Sequence, residues 1–141
     1  MPLKIIDHGT KEYQLMIALR NEILRTPLGL KLGPDDFESD KKNILICAFD
    51  EEKLLGCCML QQVDGKILLR QMAVKNDLQG RGIGRALMTF AENIAHDIGY
   101  REIGLYARKV VTGYYEKCGY KSSGDEFVKL TIPHIMMKKK I

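Results

Sequence analysis

The sequence predicts an α/β fold of the layered α+β kind, in which helices flank a mixed, mostly antiparallel sheet. Three strand-like segments follow one another through short hairpin connections: Asn43–Phe49, Lys53–Val63 and Lys66–Val74. A helix with apolar residues at steps of three and four then leads to a further strand at Glu102–Ala107. A strand–helix–strand connection of this length makes its two strands parallel.

The N-terminal segments predict a strand, a helix and a loop. A short strand is expected at Leu3–Asp7, followed by a helix over Lys11–Arg25 with Thr10 as its N-cap. The stretch Leu28–Asp40 contains two glycines, a proline and a cluster of acids. This composition predicts a loop with one helical turn at Asp35–Ser39.

The C-terminal third predicts one short helix and two more strands. The helix is expected over Val110–Lys117 and is closed by Gly119. A strand starts at Tyr120–Ser122, and the last strand is expected at Lys129–Lys138. Tyr114 and Tyr120 are expected to pack in the core.

A run of glycines, QGRGIGR at Gln79–Arg85, joins the strand Lys66–Val74 to the helix. The first turn of a helix has unpaired N–H groups and the positive end of the dipole, so it attracts phosphate. A P-loop would need Gly-Lys-Ser/Thr at this point, and a dinucleotide turn would need G-x-G-x-x-G; neither spacing is present. Glycines needed only for tight packing remain the alternative interpretation.

Composition limits the classes of function. The chain has 141 residues, 45% of them hydrophobic, and a net charge of +4, which fits one domain over residues 1–141. The basic bias is too weak to indicate nucleic acid, and no membrane segment or signal peptide is predicted, so a cytoplasmic protein is expected. Four cysteines without metal-ligand spacing predict buried thiols and no metal site.

At this turn the chain resembles the GNAT superfamily of N-acetyltransferases, which use acetyl-CoA. It is most similar in type to the bacterial members that consist of a single domain. Gln79–Gly84 matches the pattern Q/R-x-x-G-x-G/A, which holds the pyrophosphate in that superfamily. LYARKVVTGYYEKCGY at Leu105–Tyr120 resembles its later strand and helix, and IPHIMMK at Ile132–Lys138 is similar to the closing strand of one bacterial branch. The resemblance implies the GNAT fold, with a splayed pair of parallel strands, and acetyl-CoA as co-substrate.

The resemblance also implies a set of cofactor-binding residues. Backbone groups freed by the strand splay would pair with the pantetheine arm, and the glycine turn with its two arginines would hold the pyrophosphate. Arg108 stands where many members carry an asparagine that contacts the cofactor near the thiol. The expected cofactor-binding residues are Met72, Ala73, Val74, Gln79, Gly80, Arg81, Gly82, Ile83, Gly84, Arg85 and Arg108.

Tyr115 is the expected catalytic acid, because it matches the tyrosine that donates to the departing CoA sulfur in the family. The general base is open between His134 and Glu22, with Glu126 a weaker candidate and a water chain as the alternative. Cys118 follows the aromatic pair, but nothing adjacent in sequence would activate it as a nucleophile.

The resemblance therefore predicts an acyltransferase that moves acetyl from acetyl-CoA directly to a primary amine of a small molecule or peptide. The amine acceptor is its only other expected partner, and a homodimer is left open. The alternative from another class is a non-catalytic acyl-CoA-binding or sensing module. The Leu28–Asp40 region forms part of the acceptor pocket in the family, whereas a solvated connector is the simpler interpretation.

Overall fold

Eight β-strands form one sheet in the computed structural model, which describes residues 1–141. In chain order they are β1 Leu3–Ile6, β2 Ile44–Asp50, β3 Lys53–Val63, β4 Lys66–Val74, β5 Glu102–Arg108, β6 Lys121–Ser122, β7 Phe127–Lys129 and β8 Ile132–Lys140. The strand order is β1-β2-β3-β4-β5-β8-β6, and β7 pairs with β8. β4 and β5 are parallel, whereas β1/β2, β2/β3, β5/β8, β6/β8 and β7/β8 are antiparallel. The predicted mixed, mostly antiparallel sheet is confirmed; the splay of β4 and β5 stays a prediction.

Four α-helices accompany the sheet: α1 Lys11–Arg20, α2 Pro34–Asp40, α3 Ile83–Asp97 and α4 Thr112–Lys117. Thr10 caps α1 as predicted, since its side-chain oxygen accepts a hydrogen bond from the Tyr13 N–H at 3.2 Å. None of the helices combines the length and apolar character that crossing a bilayer requires.

The residues form two compact units, of which the first comprises Met1–Gln61 and Leu69–Ala91. Its core is built from one face of α1 and the inward side chains of the strands, including Tyr13, Met16, Leu45, Phe49 and Met59. Three thiols, which we call the strand cysteines, are fully buried in β2 and β3: Cys47, Cys57 and Cys58. Their burial agrees with the prediction.

The second unit comprises Gln62–Leu68 and Glu92–Ile141. Tyr120 is buried and donates a 2.7 Å hydrogen bond to Glu92 Oε2, and Lys139 Nζ of β8 binds Glu92 Oε1 at 2.9 Å. These two contacts join α3, the chain after α4, and β8. The core position predicted for Tyr120 is therefore confirmed.

The predicted helix Lys11–Arg25 is confirmed in its extent, but only its first part, to Arg20, is α-helical; Asn21–Arg25 continues it as a π-helix. The prediction for the following loop is wrong, because it holds a full helix, α2, rather than one turn. Pro34 at its start, two acids in its first turn and the Gly33 N–H bond to Asp36 Oδ2 at 2.8 Å all favour a helix there.

The predicted last strand, Lys129–Lys138, is also wrong, because β7 and β8 form a hairpin across its start. Leu130 and Thr131 make the turn with φ of 51° and 66°, a left-handed conformation usually taken by glycine or asparagine. Neither residue type occurs there, so the turn could not be predicted from composition.

Candidate active site

The glycine turn of the first unit adopts a left-handed backbone at two of its glycines. Gly80 and Gly82 have φ of 83° and 82°, and a Cβ atom built on either would meet nothing within 4 Å. The first α3 bond runs from the Ala86 N–H to the Gly82 carbonyl at 3.0 Å, so the N–H groups before Ala86 have no partner within the helix. Gly84 lies inside the first turn of α3. The turn thus offers backbone donors beside open space.

Polar side chains around this turn are exposed. Arg81 and Arg85 both face solvent beside the start of α3, and Ile83 is buried beneath it. Gln79 turns back on its own loop, donating to the Val74 carbonyl at 3.2 Å and to Asn76 Oδ1 at 3.3 Å. Gln79 therefore shapes the loop, while the two arginines supply the positive charge.

Gly56 of β3 fixes how closely α3 approaches the sheet. A Cβ atom at this position would lie 3.1 Å from each of three atoms: the Ala73 carbonyl oxygen, Ile83 Cγ2 and Leu87 Cδ1. Only glycine allows the first turns of α3 to pack this tightly against β3 and β4.

A buried ion pair lies next to a kink in β4, just before the backbone of Met72–Val74. Gln71 adopts φ of 56°, which interrupts the regular strand conformation, and its Oε1 accepts a 3.4 Å hydrogen bond from Arg20 Nε. Arg20 also binds Asp40 Oδ2 at 2.7 Å, and the Tyr13 hydroxyl donates to the same oxygen at 2.6 Å. Arg20 and Asp40 are only 2% and 3% exposed. Tyr13, Met16 and Arg20 share the buried face of α1. An arginine on this otherwise apolar face was the feature of the sequence that could have predicted a buried ion pair.

Tyr115 lies on α4 in the second unit and is partly buried. Burial raises the pKa of its hydroxyl, and Tyr114 and Cys118 raise it further, whereas the Arg108 guanidinium lowers it. The hydroxyl therefore keeps its proton at neutral pH, as an acid must before it donates. Tyr114 is 46% exposed, so its predicted core position is wrong, because α4 turns that residue outward.

The structure brings His134 and Arg108 together in the second unit. They are directly opposed in the β5–β8 ladder. His134 is buried, its ring stacks on Phe127 with centroids 5.8 Å apart, and its Nδ1 lies 2.7 Å from the Ile132 carbonyl oxygen. Because a carbonyl only accepts, Nδ1 carries the proton of the neutral ring, and Nε2 is the basic nitrogen.

Other predicted site residues have different surroundings. Glu22 lies exposed on the π-helix of the first unit. Glu126 forms an exposed 2.8 Å ion pair with Lys109, which occupies its carboxylate. Cys118 is buried after α4.

A strand–turn–helix with left-handed glycines presents backbone donors to an anionic ligand at the start of α3. The sequence profile of the acetyltransferase (GNAT) domain matches residues 34–141. The chain therefore belongs to the GNAT acetyltransferase family.

Similar proteins agree with this family. A Xenopus tropicalis protein described as a probable N-acetyltransferase 14 is 30% identical over 123 residues, covering 77% of this chain and 60% of that protein. The chain thus spans less than two thirds of the length of this relative. An acyl-CoA N-acyltransferase from Pseudomonas aeruginosa has the same fold, with a TM-score of 0.86, 20% identity and coverage of 98% of both chains. The PaiA N-acetyltransferase of Thermoplasma acidophilum, solved with coenzyme A, has a TM-score of 0.74, 20% identity and coverage of 100% of both chains.

Proposed function

We propose that this protein is an acetyl-CoA-dependent N-acetyltransferase that transfers acetyl directly to a primary amine of a small molecule or peptide. The observation that carries the proposal is the left-handed turn at Gly80 and Gly82, which leaves backbone N–H groups exposed at the start of α3 in a GNAT domain. Coenzyme A in the PaiA structure supports this choice of ligand. Buried reduced thiols fit the cytoplasm as its location.

We assign the binding roles as follows. N–H groups at the start of α3 and the guanidinium groups of Arg81 and Arg85 bind the pyrophosphate through charge-assisted hydrogen bonds. The backbone of Met72–Val74, held next to the Gln71 kink by Arg20, pairs with the pantetheine arm. Open space beside both glycines agrees with the close approach that a phosphate requires.

In the transfer itself, the neutral amine attacks the thioester carbonyl and the carbon–sulfur bond breaks. The Tyr115 hydroxyl donates its proton to the departing thiolate, and the raised pKa of this phenol keeps that proton available. Nε2 of His134 is our first candidate to accept the proton from the amine, since the bond of Nδ1 fixes the tautomer that leaves Nε2 basic. Glu22 or a water chain is the alternative.

The test measures binding and turnover separately. At a concentration 100 times Kd, acetyl-CoA should stabilise the native state by about 2.7 kcal/mol, and NAD or ATP by much less. Gly82→Asp should abolish this stabilisation, whereas Gly82→Asn, which adds the same bulk without the charge, should reduce it less. Asn has nearly the same shape and also tolerates positive φ, so the pair isolates the negative charge. A larger shift with NAD than with acetyl-CoA would contradict the assignment of the turn.

Release of CoA thiol in the presence of an amine panel decides between enzyme and binding module. Turnover with any primary amine supports the transferase. Saturable acetyl-CoA binding without thiol release across the panel would identify a non-catalytic module instead.

A further inference from the structure

Four side chains of the second unit form one continuous surface, the Arg108 face, which consists of Tyr106, Arg108, Phe127 and His134. His134 is opposed by Arg108 in the β5–β8 ladder and by Phe127 in the β7–β8 ladder, and opposed residues project to the same side of a sheet. The Phe127 ring stacks on His134, and its centroid lies 5.4 Å from that of Tyr106 in an edge contact. The face therefore combines aromatic surface with one guanidinium.

The charge of this face is positive. None of its four side chains is an acid, and the nearby carboxylate of Glu126 is paired with Lys109 at 2.8 Å. Lys129 adds a second cation, with its Nζ 5.4 Å from the Tyr106 ring centroid. A surface of this kind attracts an anion and repels a polycation.

The Arg108 face includes the end of β5, and α4, which carries Tyr115, packs on this strand. Tyr115 is the residue to which we assign protonation of the thiolate, and the Arg108 guanidinium partly offsets the rise in the pKa of its hydroxyl. The thioester end of acetyl-CoA carries no charge, because the phosphates lie at the other end of the molecule. The guanidinium of Arg108 is exposed and is therefore available to an anionic group of the acceptor.

We propose that the amine acceptor carries a carboxylate close to its amino group, as an amino acid does, and that Arg108 binds this carboxylate. The inference rests on the transferase function proposed above. A guanidinium matches a carboxylate in a bidentate geometry, and the rings of Tyr106 and Phe127 supply apolar contact for the rest of the acceptor. A neighbouring cation also favours the neutral form of the amine, which is the nucleophile.

The experiment compares amino acids with the amines that lack only the carboxylate, such as phenylalanine with phenethylamine and leucine with isopentylamine. For the wild type, we expect kcat/KM to be higher for the amino acid by at least about 10-fold, the range of one charge-assisted hydrogen bond. Arg108→Gln should bring this ratio close to one, and Arg108→Lys should retain part of it. Arg101→Gln removes an exposed arginine outside the Arg108 face and should leave the ratio unchanged.

Two results would overturn the proposal. One is a wild-type ratio near one. The other is an equal fall of both rates in Arg108→Gln, which would assign the arginine to the leaving thiolate instead.

Binding of N-acetylphenylalanine and N-acetylphenethylamine is measured in parallel, because it does not depend on turnover. A carboxylate preference in binding that Arg108→Gln removes, without any turnover, would support the anion site and refute the transferase function. Absence of the preference in both binding and turnover would overturn the anion site.

Discussion

The close contact at Gly56 leads to a quantitative prediction for the variant Gly56→Ala. The new methyl would lie 3.1 Å from two methyl carbons and from the Ala73 carbonyl oxygen, whereas carbon atoms pack best at about 3.5–4.0 Å. Side chains of Ile83 and Leu87 can yield, but the carbonyl belongs to the β4 backbone. Overpacking of this kind costs about 1–3 kcal/mol in the free energy of unfolding, or roughly 3–10 °C in Tm for a chain of this size.

The same variant should weaken acetyl-CoA binding. To relieve the contacts, the start of α3 has to move away from β3 by a few tenths of an ångström, and the exposed N–H groups move with it. Loss of about 1 kcal/mol of hydrogen bonding to the phosphates would raise Kd roughly fivefold. Urea unfolding gives the stability, and calorimetric titration at low temperature gives the affinity of the folded fraction.

Gly33→Ala is the matched control, because a Cβ atom at Gly33 meets nothing within 4 Å and its φ of −126° suits any residue. Its only expected cost is a poorer N-cap for α2, below about 1 kcal/mol. If Gly56→Ala matched this control in both stability and acetyl-CoA affinity, the idea that tight packing positions the turn would be refuted.

Two further predictions concern Tyr115 and the strand cysteines. Tyr115→Phe should lower kcat by about 100-fold or more with little change in acetyl-CoA affinity. Tyr114→Phe is the control and should leave kcat near the wild-type value, because Tyr114 is exposed. A kcat of Tyr115→Phe within about twofold of wild type would exclude the acid role. Burial raises the pKa of all three strand cysteines, that of Cys47 to about 12, so the native state keeps protons that the unfolded chain releases above about pH 9. The contribution of these thiols to the free energy of unfolding is therefore fully present below that pH. It should fall as pH rises towards 12, by up to about 1.4 kcal/mol per pH unit for each thiol. Equal urea midpoints at about pH 8 and about pH 10 would contradict this prediction.

Sequence periodicity was sufficient for strands β2 to β5, the crossover helix and the glycine turn, because each depends on local patterns. The alternation of strands and turn signals over residues 43–74 predicted the three hairpin-connected strands, and the apolar face after Gly84 predicted α3. Family resemblance then supplied the site residues, of which Arg108 and His134 proved to be opposed in the sheet.

The remaining features depend on contacts between distant residues, which local patterns do not contain. Gly56 looks like an ordinary strand residue until α3 is packed against it. The π-helix after Arg20 and the left-handed Gln71 both adjoin a buried ion pair whose members are 20 residues apart. Tyr114 was misplaced because a helix as short as α4 gives no periodicity by which to tell its buried face from its exposed one.

The buried pair of Arg20 and Asp40 constrains how this protein can diverge. Losing either partner alone would leave an uncompensated charge in the core at a cost of about 3–5 kcal/mol, a large share of the 5–15 kcal/mol that keeps a typical domain folded. Replacing both with well-packed apolar residues is often neutral. A substitution at position 20 or 40 should therefore be tolerated best when the other position changes with it. Arg20 also donates a hydrogen bond to Gln71, so a double exchange would remove this contact at the kink in β4. The conformation of the following segment, which we propose binds the cofactor, could then change as well.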